Sequence, residues 1–544
     1  MINKDEFSVH YSEELDGEYD CIDRLVINGY CPKLLTGGGI RDFHRRLKGG
    51  DSGLNTAALM RFAGVVSKRV SCYCKEKNIP FIHYQSGERK HEDAEKLYPS
   101  DASFEGIFAI FCSRATGMLW EVYEYAQGKI SIRRKKKSSL VNHYYFHIKD
   151  KQWGHVCIRM CAHPPFGCMI ILNGHEWVSN SPLVSSLEIQ KESNCFTSYN
   201  NGDKLSLVAD TLKQQGQLES VCQRWIYSCL WFALDYEAQK KVGFTYQFSV
   251  YQVEYSRNFL FKRGSQMDAV YQYLLDLTRN RIGIDSLKTI LGRKNRPYNT
   301  KSHASAPEVA VQRPDYNLTV FKISVGKLTF KLYDKGERTL RAEVVVHNSK
   351  ALGCKKSLPY FEEMVGKLEG LMENFMNNIT YAHKSLIDDG TLQNLSTPSQ
   401  KGKARLAGIK LTHERDVAAM ESVLELMLCP NGFGAKELKE VMQHKGFMDY
   451  GIAQARYDMR KMREKKLIEK ISRKQKSRVT KKGIQTIAAA LCIWKQELKP
   501  MLTAVNKEYV DINCKEITEM EKKMFEARTI IQELSALYGV KIAA

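Results

Sequence analysis

The chain has 544 residues, of which 43% are apolar and 10% aromatic, enough for real cores and too many for wholesale disorder. Its 36 Gly and 13 Pro follow no period, which excludes a fibrous repeat. The 82 basic and 61 acidic residues leave a net charge of +21, which points to a polyanionic partner unless it is spread as a solvated surface.

Fifteen cysteines, an odd number with no Cys-x-x-Cys pair, offer no disulfide framework and fit a reducing cytoplasm. The polar start is not a secretory signal. The longest apolar run, residues 225–234, is about half of the ~20 residues a membrane span needs. A soluble, cytoplasmic protein without membrane contact is expected.

In chain order, residues 1–128 read as an N-terminal α/β domain. Residues 24–27 form a short strand candidate. Residues 55–76 have helical spacing, with Ala58, Phe62, Val65, Val66 and Val70 on one side. Residues 81–84, 107–112 and 118–125 read as strands. Next comes Arg133-Arg134-Lys135-Lys136-Lys137, like charges that repel and stay out of a core. This run is either a solvated hairpin or loop between domains, or a phosphate-contacting loop in which Arg133, Arg134 and Lys135 bind nucleic acid.

Residues 129–385 read as a central α+β domain. Alternation at 142–148 and 155–163 around the polar turn 149–154 predicts a β-hairpin. Residues 168–172 continue the sheet as far as Asn173-Gly174, a turn signal. His175 and Glu176 follow, as site candidates or as ordinary turn residues. Helices are expected at 204–214, 218–235, 266–279 and 285–291, with a strand at 246–255. Residues 293–316 contain Pro297, Pro307 and Pro314 and read as a loop or internal linker. A three-strand meander (318–325, 327–333, 339–347) and an amphipathic helix (358–383) complete the region. The fold class is α+β, with a mixed or antiparallel central sheet and flanking helices. Residues 386–412 are turn-rich and read as a linker.

Alternation also assigns faces. One face collects His143, Tyr145 and His147, then His155, Cys157, Arg159, Cys161 and His163. Gln252 and Glu254, Lys331 and Tyr333, and Arg341, Glu343 and His347 form the polar sets of the other strands. If these strands share a sheet, histidines, carboxylates and basic groups meet on one surface. Such a surface suits a divalent cation, Mg²⁺ or Mn²⁺, beside a phosphate, with no organic cofactor. Glu343 and Glu254 would be the metal ligands, His147 and His163 the proton carriers, and Lys331 and Arg341 the phosphate holders. The competing reading is an ordinary polar face in which the carboxylates pair with those same cations. Cys157, Cys161 and His163 spread over roughly 20 Å along a strand and do not make a zinc site.

Residues 413–500 change character. Helices are expected at 416–427, 435–445 and 450–466, the last burying Ile452, Ala455, Met459 and Met462. Residues 467–471 and 478–480 flank a basic tip, and a closing helix runs over 483–499. This order predicts a helix-turn-helix followed by a wing. From Gln454 to Lys482 there are thirteen Lys or Arg and three acids. Arg456, Arg460 and Arg463 share one helix face that can enter a major groove. Arg473, Lys474, Lys476 and Arg478 sit where a wing meets phosphates. The run Lys465-Lys466-Leu467-Ile468 through Arg478-Val479-Thr480-Lys481-Lys482-Gly483 resembles the wing of MarR-like winged helix-turn-helix proteins, with lysine at 466 where many members carry glycine. The resemblance implies duplex DNA as the partner. Residues 501–544 hold an a/d seam (Ile517, Met520, Met524, Ala527, Ile531, Leu534) for a C-terminal amphipathic helix that either forms a homodimer or packs within the chain.

Two further resemblances stand. Tyr333-Asp334-Lys335-Gly336-Glu337 with Leu340-Arg341-Ala342-Glu343 is similar to a hairpin of rolling-circle replication initiators, which implies Glu343 as an acid near a metal that positions DNA for cleavage. Val141-Asn142-His143-Tyr144, His163-Pro164-Pro165-Phe166, Leu172-Asn173-Gly174-His175-Glu176, Asn194-Cys195-Phe196 and Val253-Glu254-Tyr255-Ser256 resemble a widespread bacterial family. That family suggests a mobile-element origin and brings no established activity. The leading expectation is a DNA-docking protein with a metal-dependent endonuclease site in its sheet. The alternatives are a non-catalytic transcriptional regulator and an RNA-binding component of a ribonucleoprotein.

Overall fold

The computed structural model describes residues 5–85, 90–126, 129–136, 139–214, 216–281, 308–315, 318–381, 391–401, 404–471, 475–492, 494 and isolated positions between 519 and 530. It divides into two compact units. The first comprises mainly Ser12–Asp268 and Val311–Met372; the second comprises Lys4–Tyr11, Ala269–Ala310 and Glu373–Ala544.

The first unit is mixed α/β. Its strands are β1 (Leu15–Tyr30), β2 (Phe81–Tyr84), β3 (Gly106–Gly117), β4 (Trp120–Ala126), β5 (Lys129–Arg134), β6 (Ser139–Asp150), β7 (Gly154–Cys161), β8 (Cys168–Asn173), β9 (Ile189–Glu192), β10 (Cys195–Tyr199), β11 (Gln247–Phe261), β12 (Glu308–Asp315), β13 (Leu318–Val325), β14 (Leu328–Asp334) and β15 (Thr339–Val346). Eleven of them form one sheet in the order β12-β13-β14-β15-β11-β1-β8-β7-β6-β3-β2, while β4–β5 and β9–β10 pair separately. From β13 to β3 the neighbours run antiparallel; β2 joins β3 in parallel, reached through the helix Lys90–Lys96.

Local chemistry explains the connections. The β6–β7 turn forms because Asp150 Oδ1 accepts the backbone N–H groups of Gln152 and Trp153, each at 2.8 Å. Its Oδ2 accepts from Arg224 and Trp225 Nε1 at 2.7 Å, so this buried carboxylate is fully used. The helix Thr56–Lys77 starts where Asn55 accepts from Ala58 N and ends at Asn78 in the left-handed region, φ 52°. It buries Leu59, Val66, Val70 and Cys74, whereas Val65 lies exposed, so the apolar stripe is narrower than its spacing suggests.

Several expectations are corrected. Strands on both sides of residue 128 hydrogen-bond into one sheet, so no fold boundary falls there. Residues 308–315, read as linker, form β12; Pro314 is tolerated because β12 is the outermost strand. Asn173-Gly174 does not turn a hairpin: Asn173 caps the helix Gly174–Ser179. A Cβ at position 174 would stand 2.0 Å from the Ile22 carbonyl oxygen, so only glycine lets that helix approach β1. The expected helix at 285–291 lies outside the described residues, as does nearly all of the expected helix at 501–544.

The second unit carries, in order, the helix Thr391–Ser396, a hairpin of β16 (Ser399–Lys401) and β17 (Ala404–Leu406), and helices Glu414–Leu426, Ala435–His444 and Ile452–Glu464. A hairpin of β18 (Ile468–Lys470) and β19 (Ser477–Val479) and the helix Lys481–Cys492 follow. The expected linker at 386–412 therefore holds ordered elements. Met420, Val423, Leu438, Met442, Ala455, Met459, Met462, Leu467, Ile484 and Ile487 form its core. Ile452, expected inside, is 43% exposed because it starts its helix on the outer side. Among the described residues no helix is long and apolar enough to cross a membrane.

Candidate functional site

Cross-strand register decides what meets. His147 faces Cys157, which faces Ile171; Ile171 faces Val26, and Val26 faces Gln252. Further along β11, Ser256 faces Glu343, which faces Lys331. Directly opposed residues point the same way. The polar sets read from alternation thus share one face of one sheet.

The densest part of that face lies over β14, β15, β11 and β1. Arg341 is fully buried. Its Nε donates to Asn258 Oδ1 at 2.6 Å, its Nη1 to Asp23 Oδ2 at 3.0 Å, and its Nη2 to the Asn194 carbonyl. Asp23 reaches it because the β1–β11 register shifts between Ile22 and Arg24, leaving Asp23 as the extra residue. Asp23 Oδ1 lies 2.9 Å from His175 Nδ1. Burial alone would raise the Asp23 carboxyl, but Arg341 and then His175 hold it below the ordinary range. Burial keeps His175 neutral against the pull of Asp23. His175 Nε2 lies 3.2 Å from the Tyr19 hydroxyl, which accepts the Phe196 N–H at 2.9 Å.

Glu343, also buried, accepts from Lys331 Nζ at 2.9 Å and from the Tyr333 hydroxyl at 2.7 Å. Glu254 is half-buried and accepts from Gln252 Nε2 at 2.6 Å. Burial, then the Glu343 charge, push its carboxyl up to about 7, against the opposing pull of Arg24 and Lys331. Glu254 is thus a carboxyl that takes or releases a proton near neutral pH beside an acid already tied into an ion pair.

The expected histidines stand elsewhere. His147 lies on β6, its Nδ1 2.9 Å from His155 Nε2 and its ring 4.3 Å from that of Phe111. His163 is buried just past β7, and burial lowers its basicity. Strands β7 and β6 are four and five places from β15, or ~19–24 Å at the usual strand spacing. The sheet therefore joins Glu254, Glu343, Lys331 and Arg341 and keeps His147 and His163 apart from them. Among the described residues no three His, Cys, Asp or Glu side chains converge as a metal-binding set. The Glu343 oxygens accept from Lys331 and Tyr333, the ion-paired arrangement of the competing reading. Asp23, His175, Tyr19 and Asn258 complete the cluster. His175 was visible in Asn173-Gly174-His175-Glu176; Asp23 was hidden by the bulge.

The second unit holds the other candidates. On the helix Ile452–Glu464, Arg456 and Arg460 are exposed, and no acid pairs with either among the described residues. Arg463 is half-buried, its Nε donating to the Met459 carbonyl at 3.1 Å. Lys461 is buried on Asp416 at 2.7 Å, and Arg415 pairs with buried Asp458 at 2.8 Å. On the hairpin, Lys476 pairs with Glu437 at 3.0 Å and Arg478 with Glu469 at 2.5 Å. The expected stripe thus narrows to two free arginines, and the two described wing candidates, Lys476 and Arg478, carry partners. Arg473 and Lys474 lie outside the described residues. In the first unit, Arg133 and Arg134 are exposed on β5, while half-buried Lys135 stands 3.8 Å from Glu121. No protein-family model, curated protein or solved structure matches this chain.

Proposed function

We propose that this chain is a DNA-binding protein that docks on a duplex through its second unit, in the manner of a winged helix. The helix Ile452–Glu464 would enter the major groove and the β18–β19 hairpin would lie along the backbone. One observation carries the reading: Arg456 and Arg460 project one turn apart, exposed and without an acidic partner among the described residues, on a helix whose other face is core. Buried Lys461, by contrast, is neutralised internally. Free arginines at that spacing match adjacent phosphates or guanine edges.

In this reading the polar cluster of the first unit holds the sheet together and does no chemistry. The test is fluorescence anisotropy of the full chain on duplex DNA at low salt. Arg456→Ala/Arg460→Ala is expected to weaken binding at least roughly tenfold. Unchanged affinity overturns the docking role. Metal-dependent cleavage of DNA or RNA that disappears in a folded Glu343→Gln variant would replace the structural role of the cluster by strand cleavage.

A further inference from the structure

The β4–β5 hairpin stands apart from the main sheet: its two strands pair only with each other. Its base is pinned. Trp120 is buried, Val122 N donates to Thr56 Oγ1 at 2.9 Å, and Lys135 N donates to the Leu119 carbonyl at 2.9 Å. Register places Glu121 opposite Arg133 and Tyr123 opposite Ser131, so these four share the face turned away from that base. On this face Tyr123 is 50% exposed; Tyr125, the extra residue at the register shift between Glu124 and Ala126, is 69% exposed.

Each polar contact on the ribbon leaves the rings available. The Tyr123 hydroxyl donates to Glu121, which fixes the ring by its edge and leaves its π-face open. Arg133 Nε donates to Ser131 Oγ at 3.1 Å, holding the guanidinium diagonally beside Tyr123. No acid pairs with Arg133 or Arg134 among the described residues. Residues 129–136 carry five Lys or Arg and no acid.

We infer that this ribbon is a binding surface for single-stranded nucleic acid, with Tyr123 and Tyr125 stacking on bases and Arg133, on the face of Tyr123, holding a flanking phosphate. Two exposed rings find no mate in a duplex, whose base faces are covered by neighbouring bases. A single strand offers those faces together with the charge that complements Arg133. The surface lies in the first unit and does not depend on the docking role of Arg456 and Arg460.

The experiment uses the full chain, labelled dT20 and rU20, and a 20-base-pair duplex of about the same length. Tyr123→Ala/Tyr125→Ala is expected to lower single-strand affinity roughly tenfold or more and to change duplex affinity less than about twofold. Tyr123→Phe/Tyr125→Phe, which keeps the rings, should bind like the parent. Arg133→Ala should weaken the same probes and lessen their salt dependence. A loss on dT20 alone assigns the site to DNA, and a loss on rU20 alone assigns it to RNA. A parent protein that binds neither strand, an alanine variant that binds as the parent does, or an equal loss on the duplex overturns the inference. Arg456→Ala/Arg460→Ala, run alongside, separates failure of this surface from failure of duplex docking.

Discussion

Arg341 is a guanidinium buried from solvent, and Asp23, at 3.0 Å, is the acid that answers its charge. Removing one member of such a pair costs more than removing both. Asp23→Asn is expected to destabilise the chain by about 3–5 kcal/mol, whereas Asp23→Leu/Arg341→Met should cost much less, as read by urea denaturation. A cost below about 1 kcal/mol for Asp23→Asn would show that the pair does not hold the sheet. Glu254 makes the opposite case. Its folded carboxyl titrates at about 7, above the ~4.3 of an unfolded glutamic acid. Its favourable contribution is therefore complete below about pH 4 and is lost as pH rises through about 7. Relative to the parent, Glu254→Gln should gain thermal stability between pH 5.5 and 8, because the variant has no charge to bury. A difference that stays flat over that range would place the titration elsewhere. Arg341, Glu343 and Glu254 were legible as polar residues on apolar-backed strands. Asp23 was not, because one extra residue in β1 breaks the two-residue period and a bulge leaves no compositional mark.

At the scale of the element, the runs that resemble a winged helix each have a local job. The helix Ile452–Glu464 ends in a Schellman pattern: Leu467 N donates to the Met462 carbonyl and Lys466 N to that of Arg463, both at 2.9 Å. Lys466 occupies the left-handed region, φ 59°, where glycine is the residue of least strain. Thr480 accepts from Gly483 N at 2.9 Å and so starts the helix Lys481–Cys492. A Cβ on residue 483 would meet the Leu467 carbonyl oxygen at 1.9 Å. Lys466→Gly is therefore expected to raise stability by up to about 1 kcal/mol without lowering DNA affinity, provided Lys466 touches no phosphate. Chemical denaturation and anisotropy read the two effects separately; a destabilised variant would mean that strain at 466 is already relieved. Helices with strong periodicity and the three-strand meander were legible because core burial enforces their spacing. Strand β12 was not, since Pro307 before it and Pro314 within it read as linker and only its place at the sheet edge makes Pro314 tolerable.

At the scale of the molecule, a net charge of +21 says that a polyanion is attracted, not where it binds. The fold narrows the answer by subtraction. Arg341, Arg257, Lys213, Lys461, Arg415 and Lys445 are cations in sequence but are spent on internal acids. What remains free among the described candidates is concentrated in two places, Arg456 with Arg460 on a helix and Arg133 with Arg134 on a ribbon. Helical spacing already put Arg460, and not its neighbour Lys461, on the exposed stripe; the partner that neutralises Lys461, Asp416 on an earlier helix, is visible only in the fold. Salt titration of duplex binding by the full chain tests the first place. Each phosphate contact contributes about −0.9 to the slope of log affinity against log salt, so losing two contacts in Arg456→Ala/Arg460→Ala should flatten the slope by about 1.8. If the arginines read guanine edges instead, affinity falls on the preferred sequence while the slope holds. A variant with the parent's affinity, slope and sequence preference would leave the excess charge of the second unit without a role in duplex binding.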